Sequence, residues 1–140
     1  MSRGNCLIGR FAILLITILV ACATQRPLTK IEIDHSLARA DTLLGRDQPD
    51  SAARIINELV RSTPADTFLL WRQAEVNTIL ESVEGRRKAA RALRKLSQSS
   101  PEDPKYHLCL AKILIDQTRN GDARRELYRT MQLAPTNEEA

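Results

Sequence analysis

Three prolines at nearly regular intervals restrict the fold of this 140-residue chain more than any other feature. Pro64, Pro101 and Pro135 lie 37 and 34 residues apart. An alanine stands twelve residues before each of them, at Ala52, Ala89 and Ala123. A period of this length indicates a repeat architecture, in which each repeat is one supersecondary unit that buries its apolar face against a neighbour.

Helical periodicity fills the intervals between these prolines. Only 4% of the residues are aromatic, and apolar side chains recur every three or four positions, as at Ala52, Ile56 and Leu59, instead of alternating as in strands. Glycine and proline end helices, and they divide this part of the chain into six stretches. The predicted helices are at about 31–45, 49–62, 66–83, 86–98, 103–119 and 121–134. The domain is therefore predicted to be all-α, with Gly85 between the third and fourth helices.

A second set of alanines completes the repeat pattern. Ala40, Ala74 and Ala111 stand in the first helix of each predicted hairpin, where a small side chain lets the two helices approach closely. The spacing resembles the tetratricopeptide repeat (TPR), a helix-turn-helix unit of about 34 residues. The third unit matches best, at Pro104, Leu110-Ala111, Leu114, Gly121-Asp122-Ala123, Leu127 and Pro135. This resemblance implies a short right-handed helical-hairpin solenoid of about three repeats; a generic helical bundle is the alternative.

The second unit departs from the family pattern. Its two alanines, Ala74 and Ala89, are fifteen residues apart, whereas the corresponding pairs of the other units are twelve residues apart. We therefore expect the first helix of this unit, or the turn after it, to be about one turn longer.

The first 21 residues have the features of a secretory signal peptide. Arg3 and Arg10 precede an apolar run from Phe11 to Ala21. This run is too short to cross about 30 Å of hydrocarbon, which needs roughly 20 apolar residues. A cleaved signal is therefore favoured over a permanent transmembrane helix.

The end of this run resembles the lipobox of bacterial lipoproteins, Leu19-Val20-Ala21-Cys22. The resemblance implies a diacylglyceryl group on Cys22, cleavage in front of it, and a mature chain held to the membrane by its acyl chains. The alternative is an ordinary signal peptide cut near the same place. Ala23, where inner-membrane lipoproteins of Gram-negative bacteria carry Asp, implies the outer membrane facing the periplasm if the source is Gram-negative. The expected organisation is a signal at 1–21, a lipidated cysteine and tether at 22–30, and the repeat domain at 31–140.

Net charge and cysteine content give no reason to expect a nucleic-acid-binding protein or a reactive cysteine. The formal net charge of +4 decreases once the signal is removed, because Arg3 and Arg10 are lost and 19 basic residues then face 17 acidic ones. Bulk charge thus gives no reason to expect nucleic acid as a partner. Cys109 would be the one free thiol of the mature chain, and it has no neighbouring cysteine or histidine to activate it.

No catalytic or metal-binding pattern is present in the sequence. His35 and His107 form no zinc-ligand pair with each other or with cysteine, and phosphate-binding and nucleophile motifs are absent. His107 and Cys109 are instead expected to pack in the core. We therefore predict a protein that is not an enzyme and needs no cofactor or metal.

Three surfaces are candidates for contacts with partners. In TPR proteins the first helices line a concave groove for client peptides, and position in the repeat would place Leu37, Asp41, Phe68, Trp71, Glu75, Leu108 and Lys112 in it; core packing explains Trp71 equally well. A basic patch could bind lipid phosphate or an acidic protein, although a solvated outer face is the simpler explanation. It comprises Arg87, Lys88, Arg91, Arg94 and Lys95.

The third candidate surface is the C-terminal end of the repeat domain. Helical geometry places Met131 and Leu133 on different faces, so they cannot both point inward, and no capping helix is expected before Ala140. An apolar surface there would serve self-association or a partner. The sequence thus predicts a membrane-anchored scaffold or adaptor for protein binding in envelope assembly. The alternative is a fixed auxiliary or regulatory subunit of a secretion, pilus or cell-wall complex, and an enzyme is a more distant alternative.

Overall fold

A computed structural model of the chain describes residues 28–134, and this part consists of six α-helices without strands. The helices are α1 (Lys30–Gly45), α2 (Pro49–Ser62), α3 (Thr67–Ile79), α4 (Val83–Ser99), α5 (Pro104–Asp116) and α6 (Asn120–Leu133). Consecutive helices pack on one another, which makes three antiparallel hairpins stacked in chain order. The all-α helical-repeat fold is therefore confirmed. None of the helices within residues 28–134 has the length and apolar character needed to cross a membrane.

Local sequence signals set the beginnings of most helices. Thr29 caps α1 in a capping box, in which its hydroxyl accepts from the Glu32 amide and the Glu32 carboxylate accepts from the Thr29 amide at 2.7 Å. Asp66, Ser82 and Asp103 cap α3, α4 and α5 in the simpler way, each accepting one backbone N–H. Helices α2 and α5 start with a proline, as predicted from Pro49 and Pro104.

The ends of α2, α4 and α6 follow from the periodic prolines. Thr63, Ser100 and Ala134 each precede a proline, and each has φ between −137° and −127° with ψ between 70° and 75°. Proline disfavours the helical conformation in the residue before it, so the second helix of every hairpin ends at the same point of the repeat.

The turn inside each hairpin has the same form in all three repeats. Three residues join the two helices, and the middle one has positive φ: 57° at Asp47, 51° at Glu81 and 57° at Thr118. Glycine usually occupies such left-handed positions after a helix. None of the three is glycine, so each turn carries some backbone strain.

The six repeat alanines hold the hairpins together, as predicted. Each is at most 3% exposed, because the partner helix covers it. Larger side chains such as Ile56, Leu93 and Leu114 fill the space between hairpins. The alanines are Ala40, Ala52, Ala74, Ala89, Ala111 and Ala123.

The predicted boundary between the second pair of helices is wrong. Helix α3 ends at Ile79 instead of residue 83, and α4 begins at Val83, so Gly85 lies inside α4 and is buried. A Cβ atom on Gly85 would be 2.6 Å from the backbone oxygen of Asn77 in α3. This glycine is therefore present because α3 passes close to it, and it does not end a helix.

The extra turn of the second repeat also lies elsewhere than predicted. Helix α3 has 13 residues, the same as α5, whereas α4 has 17 residues against 14 in α2 and in α6. The three added residues are thus at the start of the second helix, and not in the first helix or the turn.

Candidate partner-binding groove

A mainly apolar groove crosses the first helices of the three hairpins. Its volume is about 580 Å³. Leu44 of α1 closes one side, α3 forms the floor, and α5 closes the other side. The lining residues are Leu44, Trp71, Arg72, Ala74, Glu75, Val76, Thr78, Ile79, Leu93, Cys109, Lys112 and Ile113. Eight of these twelve side chains are apolar, so the groove is mainly apolar in a chain in which 27% of residues are charged.

Ion pairs hold the charged edge of the groove in place. The Arg72 guanidinium lies between two carboxylates: it pairs with Asp41 of α1 and, at 3.1 Å, with Glu75 one turn further along α3. This network links the first two hairpins across the groove. Lys112 stands on the opposite wall and has no carboxylate within ion-pair distance among the described residues. The groove thus has a neutralised edge on one side and a free cation on the other.

Trp71 serves both the core and the groove. Its ring lies 5.8 Å from that of Tyr106, centroid to centroid, and Lys105 Nζ stands 3.8 Å above it. One part of the side chain packs against the buried cluster between α3 and α5, while another part lines the groove. The indole is therefore a rigid wall and not a mobile surface side chain.

The seven predicted groove residues occupy different positions in the structure, and only some of them line the cavity. Trp71, Glu75 and Lys112 line the cavity itself. Phe68 and Leu108 do not line it; they are exposed one turn further towards the beginnings of α3 and α5. Asp41 does not line the cavity, but it forms an ion pair with Arg72, which does. Leu37 is half-buried against the core and does not line the cavity.

Sequence reasoning missed the residues that form the other end of the groove. Leu44 and Ile79 line it although neither was predicted, and Ile79 is 56% exposed. Leu44 follows Asp41 by three residues and Ile79 follows Glu75 by four, so both continue the helical faces that carry the predicted residues. The helical period could therefore have identified them.

Cys109 and His107 occupy different environments, although both were expected in the core. Cys109 is half-buried and lines the groove, which corrects the expectation of a buried thiol. His107 is buried at the junction of α5 and α6, where Nδ1 lies 2.8 Å from a Glu126 carboxylate oxygen and Nε2 lies 3.2 Å from the Pro101 carbonyl oxygen. This histidine joins the third hairpin to the loop before it. Within residues 28–134, no three His, Cys, Asp or Glu side chains are grouped as metal ligands would be.

The predicted basic patch lies on one face of α4, and the buried residues Ala89, Leu93 and Leu96 lie on the opposite face. Its residues form two adjacent stripes that line different cavities. Lys88, Arg91 and Lys95 form the stripe on the α2 side, where Glu84 lies 4.0 Å from Lys88 and 3.3 Å from Arg91. Arg87 and Arg94 form the other stripe, beside the turn between α5 and α6. The two stripes adjoin, because Arg91 follows Arg87 by four residues and precedes Arg94 by three.

The end of the described chain exposes apolar side chains on α6. Tyr128 and Met131 are 64% and 68% exposed, whereas Leu133 is partly buried, so the structure supports exposure for only one of the two predicted end residues. Leu127 occupies the repeat position of Ile56 and Leu93, eight residues before each periodic proline. Those two side chains are 0% and 1% exposed, and Leu127 is 36% exposed. Among residues 28–134 no further hairpin covers this position of α6.

Comparisons with known proteins show similarity of fold to solved structures and no similarity to a known family. No protein-family model matches the chain, and no curated protein matches it in sequence. Two similar solved structures are of MamA, a TPR-like helical protein. For MamA 41-end from Desulfovibrio magneticus RS-1 the TM-score is 0.62 at 20% identity, over 89% of this chain and 67% of that one. For a MamA RS-1 ArsTM double mutant it is 0.58 at 21% identity, over 75% of this chain and 57% of that one.

These similarities support the TPR-like arrangement of the helices. The chain spans only a little over half the length of the MamA double mutant. Sequence identity near one fifth identifies a shared fold, and a fold by itself does not define a partner.

Proposed function

We propose that this protein is a scaffold that binds a partner protein in the groove formed by α1, α3 and α5. The observation that carries this function is the apolar cavity of about 580 Å³ that crosses all three hairpins. Sites that take up ligand groups have volumes of about 300–1,000 Å³ and apolar linings with a few placed polar groups. The TPR-like fold adds support, because helical repeats offer extended concave surfaces for binding.

The lining defines the kind of partner segment that fits. Leu44, Trp71 and Ile79 offer apolar surface and little hydrogen bonding, so aliphatic side chains of the partner would supply most of the affinity. Arg72 is already paired with Asp41 and Glu75, which leaves Lys112 as the side chain most able to take a carboxylate. The partner segment therefore presents apolar residues with an acidic residue at the α5 side. The protein acts in this way as a binding module and not as an enzyme.

A lipid on Cys22 holds this scaffold to a membrane of the cell envelope, on the periplasmic side of the outer membrane. This part of the proposal rests on Leu19-Val20-Ala21-Cys22 after the apolar run, and these residues lie outside the described part of the structure. Two or more acyl chains anchor a protein stably, because each buried methylene contributes about 0.8 kcal/mol. A signal at 1–21 and a tether at 22–30 would place the groove a short distance from the bilayer.

A second copy of the chain could use the exposed face of α6. Leu127, Tyr128 and Met131 cluster there at positions i, i+1 and i+4, on the face that covers the next hairpin in α2 and α4. Self-association through this face would bury the repeat interface that is open at the α6 end of the described residues.

Crosslinking in cells tests the groove. A photoreactive side chain in place of Glu75 should capture a discrete partner, and the same group in place of the exposed Arg54 on α2 should not. Adding Ile79→Glu should remove the crosslink, because it puts a charge on exposed apolar lining without disturbing the core. Ile31→Glu is the matched control, since Ile31 is 80% exposed and does not line the groove.

The groove is not the binding site if the crosslink survives Ile79→Glu, or if Ile31→Glu removes it equally well. Co-purification of the partner without crosslinking would identify a fixed subunit, whereas loss of the uncrosslinked partner during purification would identify a transient adaptor.

Cell fractionation tests the anchor independently. Cys22→Ser should release the protein from detergent-dependent membrane fractions, because serine cannot carry the thioether-linked lipid. Normal processing together with continued membrane association of this variant would contradict lipidation.

A further inference from the structure

A second cavity lies on the other side of the second hairpin, away from the groove. It has a volume of about 490 Å³ and separates the first half of α4 from the turn that joins α5 to α6. We call it the arginine cleft. Its lining residues are Val83, Arg86, Arg87, Ala90, Arg94, Asp116, Gln117, Thr118 and Arg119. No residue of the groove is among them.

The arginine cleft carries an excess of positive charge. Four of its nine lining residues are arginines, and Asp116 is the one acid among them. Arg119 is paired with Asp122 outside the cleft, and Arg86 donates to the backbone carbonyl of Glu81. Arg87 and Arg94, seven residues apart on the same face of α4, have no carboxylate within ion-pair distance among the described residues. Two guanidinium groups thus remain able to bind an anion.

An unpaired hydrogen-bond donor points to the same place. The Nε2 atom of Gln117 is buried and has no hydrogen-bond partner among the described residues. Buried donors almost always have a partner, and a missing one calls for an explanation. Gln117 lines the arginine cleft, so a rotation of its side chain would bring Nε2 to an oxygen atom of a bound ligand and complete its hydrogen bonding.

We infer that the arginine cleft binds a phosphate group, held by Arg87 and Arg94 and oriented by Gln117 Nε2. Guanidinium groups bind phosphate oxygens in a bidentate manner, and the three donors would approach the ligand from both walls of the cleft. A phosphate group offers more acceptor oxygens than a carboxylate does, which suits two unpaired guanidinium groups and one amide. The source is either a free phosphorylated small molecule or the headgroup of an anionic lipid.

The other stripe of α4 explains why this cleft, and not basic charge in general, is the site. Lys88 and Arg91 share Glu84 as a partner, so much of their charge is already compensated. The neighbouring amides Asn57 and Gln73 are bonded to each other at 2.8 Å. Among the described residues, the cavity on that side of α4 has no buried side-chain donor without a hydrogen-bond partner, and it provides a matched control of nearly equal charge.

Spectroscopy on the full chain in neutral detergent micelles tests the inference. Inorganic phosphate should shift the side-chain amide signals of Gln117 and the guanidinium signals of Arg87 and Arg94 in proton–nitrogen correlation spectra, beyond the effect of chloride at the same ionic strength. The double variant Arg87→Gln/Arg94→Gln should weaken phosphate binding at least about tenfold, since each charge-assisted bond contributes more than a neutral one. The control Arg91→Gln/Lys95→Gln removes the same charge and should retain binding.

A second titration separates the two sources. Micelles doped with phosphatidylglycerol, compared with phosphatidylcholine, should produce the same Gln117 shift if the ligand is an anionic lipid headgroup; a response to phosphate alone identifies a free phosphorylated molecule. Equal losses in the two double variants would overturn the inference, because binding would then follow net charge. Absence of a Gln117 shift with both phosphate and phosphatidylglycerol would overturn it as well. Neither result bears on the groove, whose lining residues all remain unchanged.

Discussion

Gly85 provides the sharpest test of how the second hairpin is packed. The substitution Gly85→Ala adds one methyl group at a buried position of α4. That Cβ atom would lie 2.6 Å from the Asn77 backbone oxygen, 2.9 Å from Ser82 Oγ and 3.3 Å from Leu80 Cβ. An ordinary contact between carbon and oxygen is about 3.3 Å or longer. The α3 backbone must therefore move by roughly 0.7 Å, and it cannot do so by a side-chain rotation.

Three contributions set the expected change in the free energy of unfolding. Overpacking a close-packed interface costs about 1–3 kcal/mol. Displacing Ser82, whose hydroxyl caps α4 by accepting from the Gly85 amide at 2.9 Å, costs up to about 1 kcal/mol more. Alanine favours a helix over glycine by about 0.5–1 kcal/mol, which offsets part of the cost. Gly85→Ala should therefore destabilise the domain by about 1–3 kcal/mol.

Thermal unfolding followed by far-ultraviolet circular dichroism measures this effect. A loss of this size lowers the Tm of a domain of about 100 residues by roughly 4–15 °C. Gly121→Ala is the matched control, because Gly121 lies in the first turn of α6 and a Cβ there meets nothing within 4 Å. It should raise the Tm by a few degrees through helix propensity alone. If Gly85→Ala is as stable as the original chain, the close approach of α3 to α4 is wrong.

Three further changes test the turns, the hairpin contacts and the open end. Thr118→Gly should raise stability by about 0.5–1 kcal/mol in chemical denaturation, because it relieves a β-branched residue at positive φ, and Asp47→Gly should gain less because aspartate tolerates that conformation. Ala111→Leu should overpack the third hairpin and cost about 1–3 kcal/mol, and an unchanged Tm would argue against this register. Light scattering should show concentration-dependent association that Met131→Glu removes; a monomer at all concentrations rules out self-association through α6.

The sequence predicted those parts of the fold that local signals determine. The first residues of α2 and α5 follow from Pro49 and Pro104, and the ends of the second helices follow from the residues before the periodic prolines. These features need only the conformational preferences of proline, so no knowledge of the neighbouring helices is required. The six buried alanines were predictable for a related reason, since a repeat imposes the same close contact in each unit.

The predictions for Gly85 and for the basic residues of α4 depended on contacts between helices that the sequence does not show. Gly85 looked like a helix end because glycine usually weakens helices, yet its role depends on the path of Asn77 through α3. The basic residues of α4 looked like one patch because their crowding is visible in the sequence. Only the structure shows that they line two different cavities, although the spacing of Glu84 and Lys88 could have indicated which of these residues are compensated.

The groove and the arginine cleft use different helices of the second hairpin. Their functions can therefore be tested separately. The groove depends on the first helices, where Trp71 is fixed by Tyr106 and Lys105, so changes in the second helix of the hairpin should leave it intact. The arginine cleft depends on α4 and on the strained turn at Thr118, which lines it. Leu93 is the one groove-lining residue supplied by α4, and its side chain is buried. If binding at one site changes the affinity at the other, Leu93→Ala should reduce this coupling, whereas Arg87→Gln should abolish only the response to phosphate.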